Sequence, residues 1–317
     1  MKRCKELSGS LVSKWYKKSG RKDLPWRKNI SPYRVWISEI ILQQTQVKTG
    51  RDYFETFVSS YPNLKSIKDA SEDDIYKLWR GLGYYRRASY IYQAKEIIHN
   101  KFAGKFPESY DSIVSLPGIG RSTAGAILSI AFKKPYPILD GNVKRVISRF
   151  FYKKDFNENL FWKLSNSLID TKDPFSYQQG IMDIGATVCH KKIPNCESCP
   201  LKLKCKSKIN NSFFSLPSKK VKKKNVHLHF QIHQDDNKVF LIKDTKLGFW
   251  KNLWIPPYEI REQSEYDVRH NLSHRNLFIK FNNAETPTKA EGGKWFAKEK
   301  LKNLATPKPI SDKLLKI

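Results

Sequence analysis

Leu116-Pro117-Gly118-Ile119-Gly120-Arg121-Ser122-Thr123-Ala124-Gly125 is the stretch that decides the fold. Two glycines flank one apolar residue, and a helix rich in small side chains (Ala124, Gly125, Ala126) is expected to follow. Gly118 and Gly120 let the backbone turn tightly and leave N–H groups unobstructed at a helix N-terminus. That arrangement suits an anion without any side-chain charge. A helix-hairpin-helix of this kind grips a nucleic-acid backbone and fixes position rather than sequence. A bare Gly-x-Gly is more often an ordinary helix–helix turn; the preceding Leu-Pro and the following Arg-Ser-Thr-Ala-Gly weigh against that.

Downstream comes Pro137-Ile138-Leu139-Asp140-Gly141-Asn142-Val143-Lys144-Arg145. Alone, Asp140 reads as the N-cap of a helix; beside the hairpin it becomes a candidate functional carboxylate. Composition points the same way. The 317 residues hold 59 Lys and Arg against 30 Asp and Glu, a net charge of +29, and aromatics reach 13%, too many for a solvated tail. Such a chain builds cores under a strongly positive surface, which implies a polyanionic partner, even if lysine-rich composition bias explains part of the excess. No apolar run of about 18 residues exists, which excludes a membrane-spanning helix. Met1 to Trp15 lacks the apolar core of a signal peptide. The expectation is a soluble protein of the bacterial cytoplasm.

Up to about Phe175 the periodicities are helical. Ser31-Pro32 has the form of an N-cap followed by Pro at the first helical position. Ile37 and Ile41, and Trp36 and Ile40, sit four apart as a buried helix requires. Phe161, Leu164 and Leu168 form a later stripe. From Asn210 the texture becomes Asn-Asn-Ser, Leu-Pro-Ser and a lysine run through Lys224, the pattern of a charged linker. Val226 to Ile232 then alternates with period two, and Lys238 to Ile242 follows across Asp235-Asp236-Asn237, which predicts a hairpin. The expected organisation is a helical domain at 1–208, a basic linker at 209–225 and a smaller mixed or β-rich domain at 226–317. No internal repeat is visible.

Four of the five cysteines form Cys189-x6-Cys196-x2-Cys199-x5-Cys205. In a long intracellular chain this clustering reads as a metal site rather than a disulfide framework. Four thiolates suit either zinc or an iron–sulfur cluster. Lys191, Lys192, Lys202, Lys204 and Lys206 surround them. Cys4 is left over and expected to be inert.

Together, the hairpin, the Leu139-to-Lys144 segment and the cysteine pattern resemble the helix-hairpin-helix DNA glycosylases that end in an iron–sulfur loop. Ser38-Glu39-Ile40-Ile41-Leu42-Gln43-Gln44-Thr45-Gln46-Val47 and Gly81-Leu82-Gly83-Tyr84-Tyr85 look like the adenine DNA glycosylases of the MutY type, which remove adenine mispaired with 8-oxoguanine. The likeness runs from about Leu24 to Cys205 and thins beyond. It implies a mainly α, two-lobed glycosylase with an iron–sulfur loop and a smaller α+β, Nudix-like C-terminal domain. It also implies a [4Fe–4S] cluster on Cys189, Cys196, Cys199 and Cys205, and a monomer acting on double-stranded DNA with an adenine mispair.

Cleaving an N-glycosidic bond needs an acid for the departing base and negative charge beside the sugar cation, the logic of two-carboxylate glycosidases. Glu39 fits the acid. On a helix it shares a face with Val35, Trp36, Leu42 and Gln43, and such surroundings keep a carboxyl protonated near neutral pH. By resemblance, Asp140 is the ionised partner that steadies the oxocarbenium-like transition state or bonds to it. Asn142, Lys144 and the hairpin amides grip phosphate. The target base must leave the stack. Gln44 and Tyr84 resemble residues that wedge the vacated stack, Gln43 lies near the opposite base, and Trp26 and Arg27 belong to the adenine pocket.

Ser122 stands where the related endonuclease III enzymes carry a Schiff-base lysine; serine cannot form that adduct, so a monofunctional enzyme is expected. Gly248 to Pro257 resembles the family's Nudix-like region, but no Arg-Glu-x-x-Glu-Glu run is present and nucleotide hydrolysis is not expected. Leu272-Ser273-His274 resembles the Phe-Ser-His segment that reads 8-oxoguanine, with Leu272 in place of the aromatic; the short span before it suggests a reduced domain. The rival readings are an oxidised-pyrimidine glycosylase with lyase activity and a non-catalytic DNA-structure-binding protein. Ser122 and the second domain oppose the first, and retention of both Glu39 and Asp140 opposes the second.

Overall fold

The computed structural model describes residues 2–217, 222–243, 246–262, 264–285 and 293–317, with side chains from residue 8 onward. Cys4, Lys219, Lys220 and Val221 therefore lie outside the described side chains. The chain divides into two units, Met1–Asp69 with Gln93–Ser218 and Ala70–Tyr92 with Lys219–Ile317.

Along the chain come α1 (Lys2–Ser19), α2 (Pro32–Leu42), α3 (Val47–Ser60), α4 (Glu72–Trp79), α5 (Arg86–Lys101), α6 (Tyr110–Val114), α7 (Arg121–Ile130), α8 (Gly141–Phe151), α9 (Glu158–Asn166), α10 (Pro174–Asp183) and α11 (Lys206–Ile209). All but α4 and the opening of α5 belong to the first unit. There α1 packs on α10, and α2 packs on α3 and α7. Ser31 caps α2 as expected, its hydroxyl accepting the Arg34 N–H at 3.2 Å ahead of Pro32. Trp36, Ile37, Ile40 and Ile41 are all buried, so α2 runs through the core and carries Glu39 with it. The Phe161–Leu164–Leu168 stripe holds only in part. Helix α9 stops at Asn166, and Leu168 is buried from the loop beyond it.

The hairpin is α6, a turn and α7. The Ile119 N–H bonds to the Leu116 carbonyl at 3.1 Å, Gly118 takes φ +77°, and Gly120 caps α7 in an extended conformation. Gly125 has a separate reason to be glycine: a Cβ there would lie 2.2 Å from the Pro137 carbonyl oxygen. Helix α7 thus lies directly against the segment that leads to Asp140. The Ser122 hydroxyl ties the same two pieces, accepting the Leu139 N–H at 3.0 Å.

The second unit holds α4 and a mixed sheet of β1 (Lys224–Asp235), β2 (Lys238–Lys243), β3 (Trp254–Ile255), β4 (Tyr258–Ile260), β5 (Val268–Asn271), β6 (Arg275–Ala284) and β7 (Gly293–Ala297), followed by α12 (Lys308–Leu314). Strand order is β3-β2-β1-β6-β5, with β4 also on β1 and β7 also on β2. The expected hairpin is β1–β2, with Asp235 opposite Lys238. β1 opens at Lys224, inside the stretch expected to be linker. Leu228, Phe230 and Ile232 are buried along β1, as period two requires. Strands β1 and β6 run parallel, Val226 beside Leu277 through His233 beside Ala284.

Sequence order does not give the division expected at residue 208, because α4 and its flanks find partners far along the chain. Lys243 pairs with Asp73 at 2.8 Å, Asn252 bonds to Glu72 at 3.3 Å, the Tyr85 hydroxyl to the Thr306 carbonyl at 3.2 Å, and Arg80 to Lys302 and Ser311.

Candidate active site

The first unit contains a cavity of about 790 Å³. Helix α2 contributes Val35, Ser38, Glu39 and Leu42; the chain leaving it contributes Gln43 and Gln44; the opening of α7 contributes Ser122 and Thr123. Asp140, Gly141, Asn142 and Arg145 line it from the start of α8, and Trp26 and Arg27 from the single 3₁₀ turn Pro25–Arg27. Eight residues singled out in the sequence as site residues therefore share one cavity: Trp26, Arg27, Glu39, Gln43, Gln44, Ser122, Asp140 and Asn142.

Burial pushes the Glu39 carboxyl up to about 8, with the nearby Asp140 charge adding to the rise and Arg27 opposing it. Asp140 is both the N-cap foreseen for it and a wall of the cavity. Its Oδ1 accepts the Val143 N–H at 2.7 Å in the first turn of α8. Burial raises Asp140 too, while the Val143 and Asn142 N–H groups, Arg145 and Lys144 pull it down. Two carboxyls in one desolvated space do not both ionise readily, so the pair favours holding a proton between them.

Arg27 is fixed from behind by Asp183, at 2.7 and 2.8 Å, and by the Arg21 carbonyl at 2.7 Å. Its guanidinium stands 5.4 Å from the Tyr16 ring centroid. The Arg27 Nε is buried and has no partner among the described residues. Burial alone would raise Asp183; the Arg27 and Arg21 guanidiniums outweigh it and hold the carboxyl below the ordinary range. Trp26 is buried with its ring edge-on to Phe54 at 5.7 Å.

Residues 37–165 match the family model of the HhH-GPD superfamily base excision DNA repair proteins. The adenine DNA glycosylase of Buchnera aphidicola subsp. Acyrthosiphon pisum is 43% identical over 82% of this chain and 77% of its own. That of Buchnera aphidicola subsp. Schizaphis graminum is 37% identical over 97% of each. This chain belongs to the adenine DNA glycosylase family. It is a hydrolase of base-excision repair that acts on adenine in DNA. Among solved structures, a thermostable thymine-DNA glycosylase aligns over 65% of this chain and 97% of its own, with 27% identity and a TM-score of 0.59.

In this glycosylase the Gln43 side-chain amide donates to the Gly118 carbonyl at 3.4 Å, joining α2 to the hairpin. Gln44 is exposed and takes φ +56°, a left-handed conformation uncommon for a residue with a side chain. Tyr84 belongs to the second unit. It follows Gly83 with φ +49° and is 48% exposed, which is not how a core aromatic sits. Ser273 and His274, also in the second unit, lie exposed in the β5–β6 turn and bond to each other at 3.0 Å. Gly118, Gly120 and Lys144 border the hairpin and α8 rather than lining the cavity.

Cys189, Cys196, Cys199 and Cys205 line one small separate cavity with Arg149. Among the described residues no three potential ligands gather tightly enough to hold a single metal ion. Arg149 is buried and laces the loop: it donates to the carbonyls of His190 at 2.7 Å, Lys191 at 2.8 Å and Phe214 at 2.9 Å, and to the Cys189 sulfur at 3.4 Å. Of the lysines surrounding the cysteines, Lys202 pairs with Glu197 at 3.1 Å, as does Lys208 at 2.6 Å.

Sequence reasoning missed Arg21, Arg145 and Asp183. Asp183 carried a signal, a lone acid amid Gly180-Ile181-Met182 and Ile184-Gly185-Ala186, where a buried charge must be paired. Arg145 carried none; its bonds run to the Asn142 side chain at 2.8 Å and the Cys189 carbonyl at 2.7 Å.

Proposed function

We propose that the enzyme removes adenine paired with 8-oxoguanine or guanine, hydrolysing the glycosidic bond without strand cleavage. The observation that carries this reading is the shared cavity in which Glu39 is pushed up to about 8 opposite Asp140. Glu39 holds the proton, because Asp140 has the Val143 N–H and the first turn of α8 to favour its anion. Glu39 delivers that proton to the departing base, and the Asp140 carboxylate steadies the deoxyribose cation. Trp26 and the unpartnered Arg27 Nε suit a flipped purine. Gln44 suits a wedge for the vacated stack and Gln43 a place near the opposite base; Tyr84, in its own unit, is a second residue of the wedging type. Asn142, Lys144 and the amides after Gly118 and Gly120 hold phosphate. Ser122 offers no amine for a lyase step.

The cysteine loop suits a [4Fe–4S] cluster. Four thiols line one cavity, and four thiolates are the ligand set such a cluster takes. Bound there, the cluster would brace the loop that Arg149 laces and take no part in glycosidic chemistry. The second unit serves as a reduced Nudix-like reader, with Ser273 and His274 at the exposed β5–β6 turn facing the 8-oxoguanine strand. The enzyme works as a monomer; its bacterial relatives support a place in the cytoplasm.

Single-turnover assays on duplexes holding adenine opposite 8-oxoguanine, adenine opposite guanine, or thymine glycol test this. Adenine release without a nick is expected from the first two; excision of thymine glycol with strand cleavage would overturn the reading. Glu39→Gln should abolish release while binding stays within about tenfold.

A further inference from the structure

Two cations of the first unit stand on aromatic rings beside the helix starts. Lys144, in the first turn of α8, places its Nζ 4.3 Å from the Phe156 ring centroid. Arg121, the first residue of α7, places its guanidinium carbon 4.1 Å from the Trp162 centroid. Both rings belong to one piece of chain. Trp162 lies in α9, and Phe156 lies in the loop entering it, edge-on to Phe161 at 5.0 Å. That piece is anchored to the segment before Asp140 by the Ser165 hydroxyl, which donates to the Ile138 carbonyl at 2.7 Å.

Phe156 is 42% exposed, so it contributes little to the core beneath it. A lysine side chain has many rotamers to lose when it grips a ligand, and a ring under its ammonium removes part of that cost in advance. We propose that Phe156 and Trp162 are positioning residues for DNA binding: α9 and the loop entering it bracket two cations, Arg121 and Lys144, so that each helix start meets a backbone phosphate with a charge already in place. This rests on the reading that the first turns of α7 and α8 face the DNA backbone.

The test is equilibrium binding of the full chain to an undamaged duplex across a salt series. Phe156→Leu, which keeps bulk and removes the π face, should weaken binding about three- to tenfold at unchanged thermal midpoint. It should also flatten the dependence of log K on log salt. Phe156→Tyr should restore both. In a Lys144→Ala background, Phe156→Leu should cost nothing further. Parental affinity and slope in Phe156→Leu, no rescue by tyrosine, or a loss that persists without Lys144 each overturn the proposal. If Lys144→Ala weakens binding while Phe156→Leu does not, the bracket alone fails. If Lys144→Ala binds as the parent does, the phosphate reading of α8 fails and the bracket with it.

Discussion

A carboxyl that burial pushes from its ordinary 4.5 up to about 8 changes what the enzyme does with pH. Between those values the folded chain keeps a proton on Glu39 that the unfolded chain releases. The uncharged form therefore adds no penalty below about 4.5, and stability is lost as pH climbs through about 8. The acid needed for base departure disappears over the upper part of that window. Single-turnover adenine release should accordingly fall above about pH 8, with the midpoint of the fall reporting the Glu39 proton. Glu39→Gln cannot ionise in either state, so its thermal midpoint should gain on the parent's as pH rises from about 4.5 to about 8 and hold that gain above. A rate that stays flat as pH rises through and beyond about 8 would remove the assigned acid. The burial of Glu39 was legible because helical spacing put Val35, Leu42 and Gln43 on its face. The partners of Asp183 were not, because the two arginines that neutralise it sit more than a hundred and fifty positions away in the chain.

Elements differ in how much of themselves they show locally. The hairpin was readable since turn chemistry is written in adjacent residues, and the β1–β2 hairpin was readable from period-two alternation. The end of α9 and the company kept by α4 were not, since Leu168 continues a helical spacing without a helix, and α4 is held by residues between Lys243 and Ser311. Within the hairpin the glycines separate into two kinds. Gly125 meets the Pro137 carbonyl, so Gly125→Ala must push α7 off the segment that carries Asp140. A loss of about 2–3 kcal/mol is expected, seen as a thermal midpoint several degrees lower. Gly120 has extended backbone and open space around its missing Cβ, so the fold does not require a glycine there. Gly120→Ala should melt with the parent yet bind duplex DNA more weakly, because the new methyl stands where a phosphate would approach the amides. A variant at Gly120 that melts early and binds normally would reverse that assignment.

Taken as a whole the chain carries +29, the excess left once its 30 Asp and Glu are set against its 59 Lys and Arg. Some lysines are already committed: Lys202 and Lys208 to Glu197, Lys243 to Asp73, Lys17 to Asp173. Those pairs are already deducted in the net figure; the number of phosphates held at once falls below it because a duplex meets only part of a protein's surface at a time. If about six are neutralised, affinity for a duplex should fall about a thousandfold between 50 and 200 mM salt, the log–log slope lying near −5. Counterion release depends on phosphates contacted and not on the base excised, so the slope should be nearly the same for a duplex with adenine opposite 8-oxoguanine and for an undamaged one, while absolute affinities differ. Parallel titrations on the two duplexes measure this. A slope shallower than about −2 on both would mean that the positive surface meets something other than DNA. Parallel slopes with separated affinities would place discrimination in the cavity and the second unit rather than in the backbone grip.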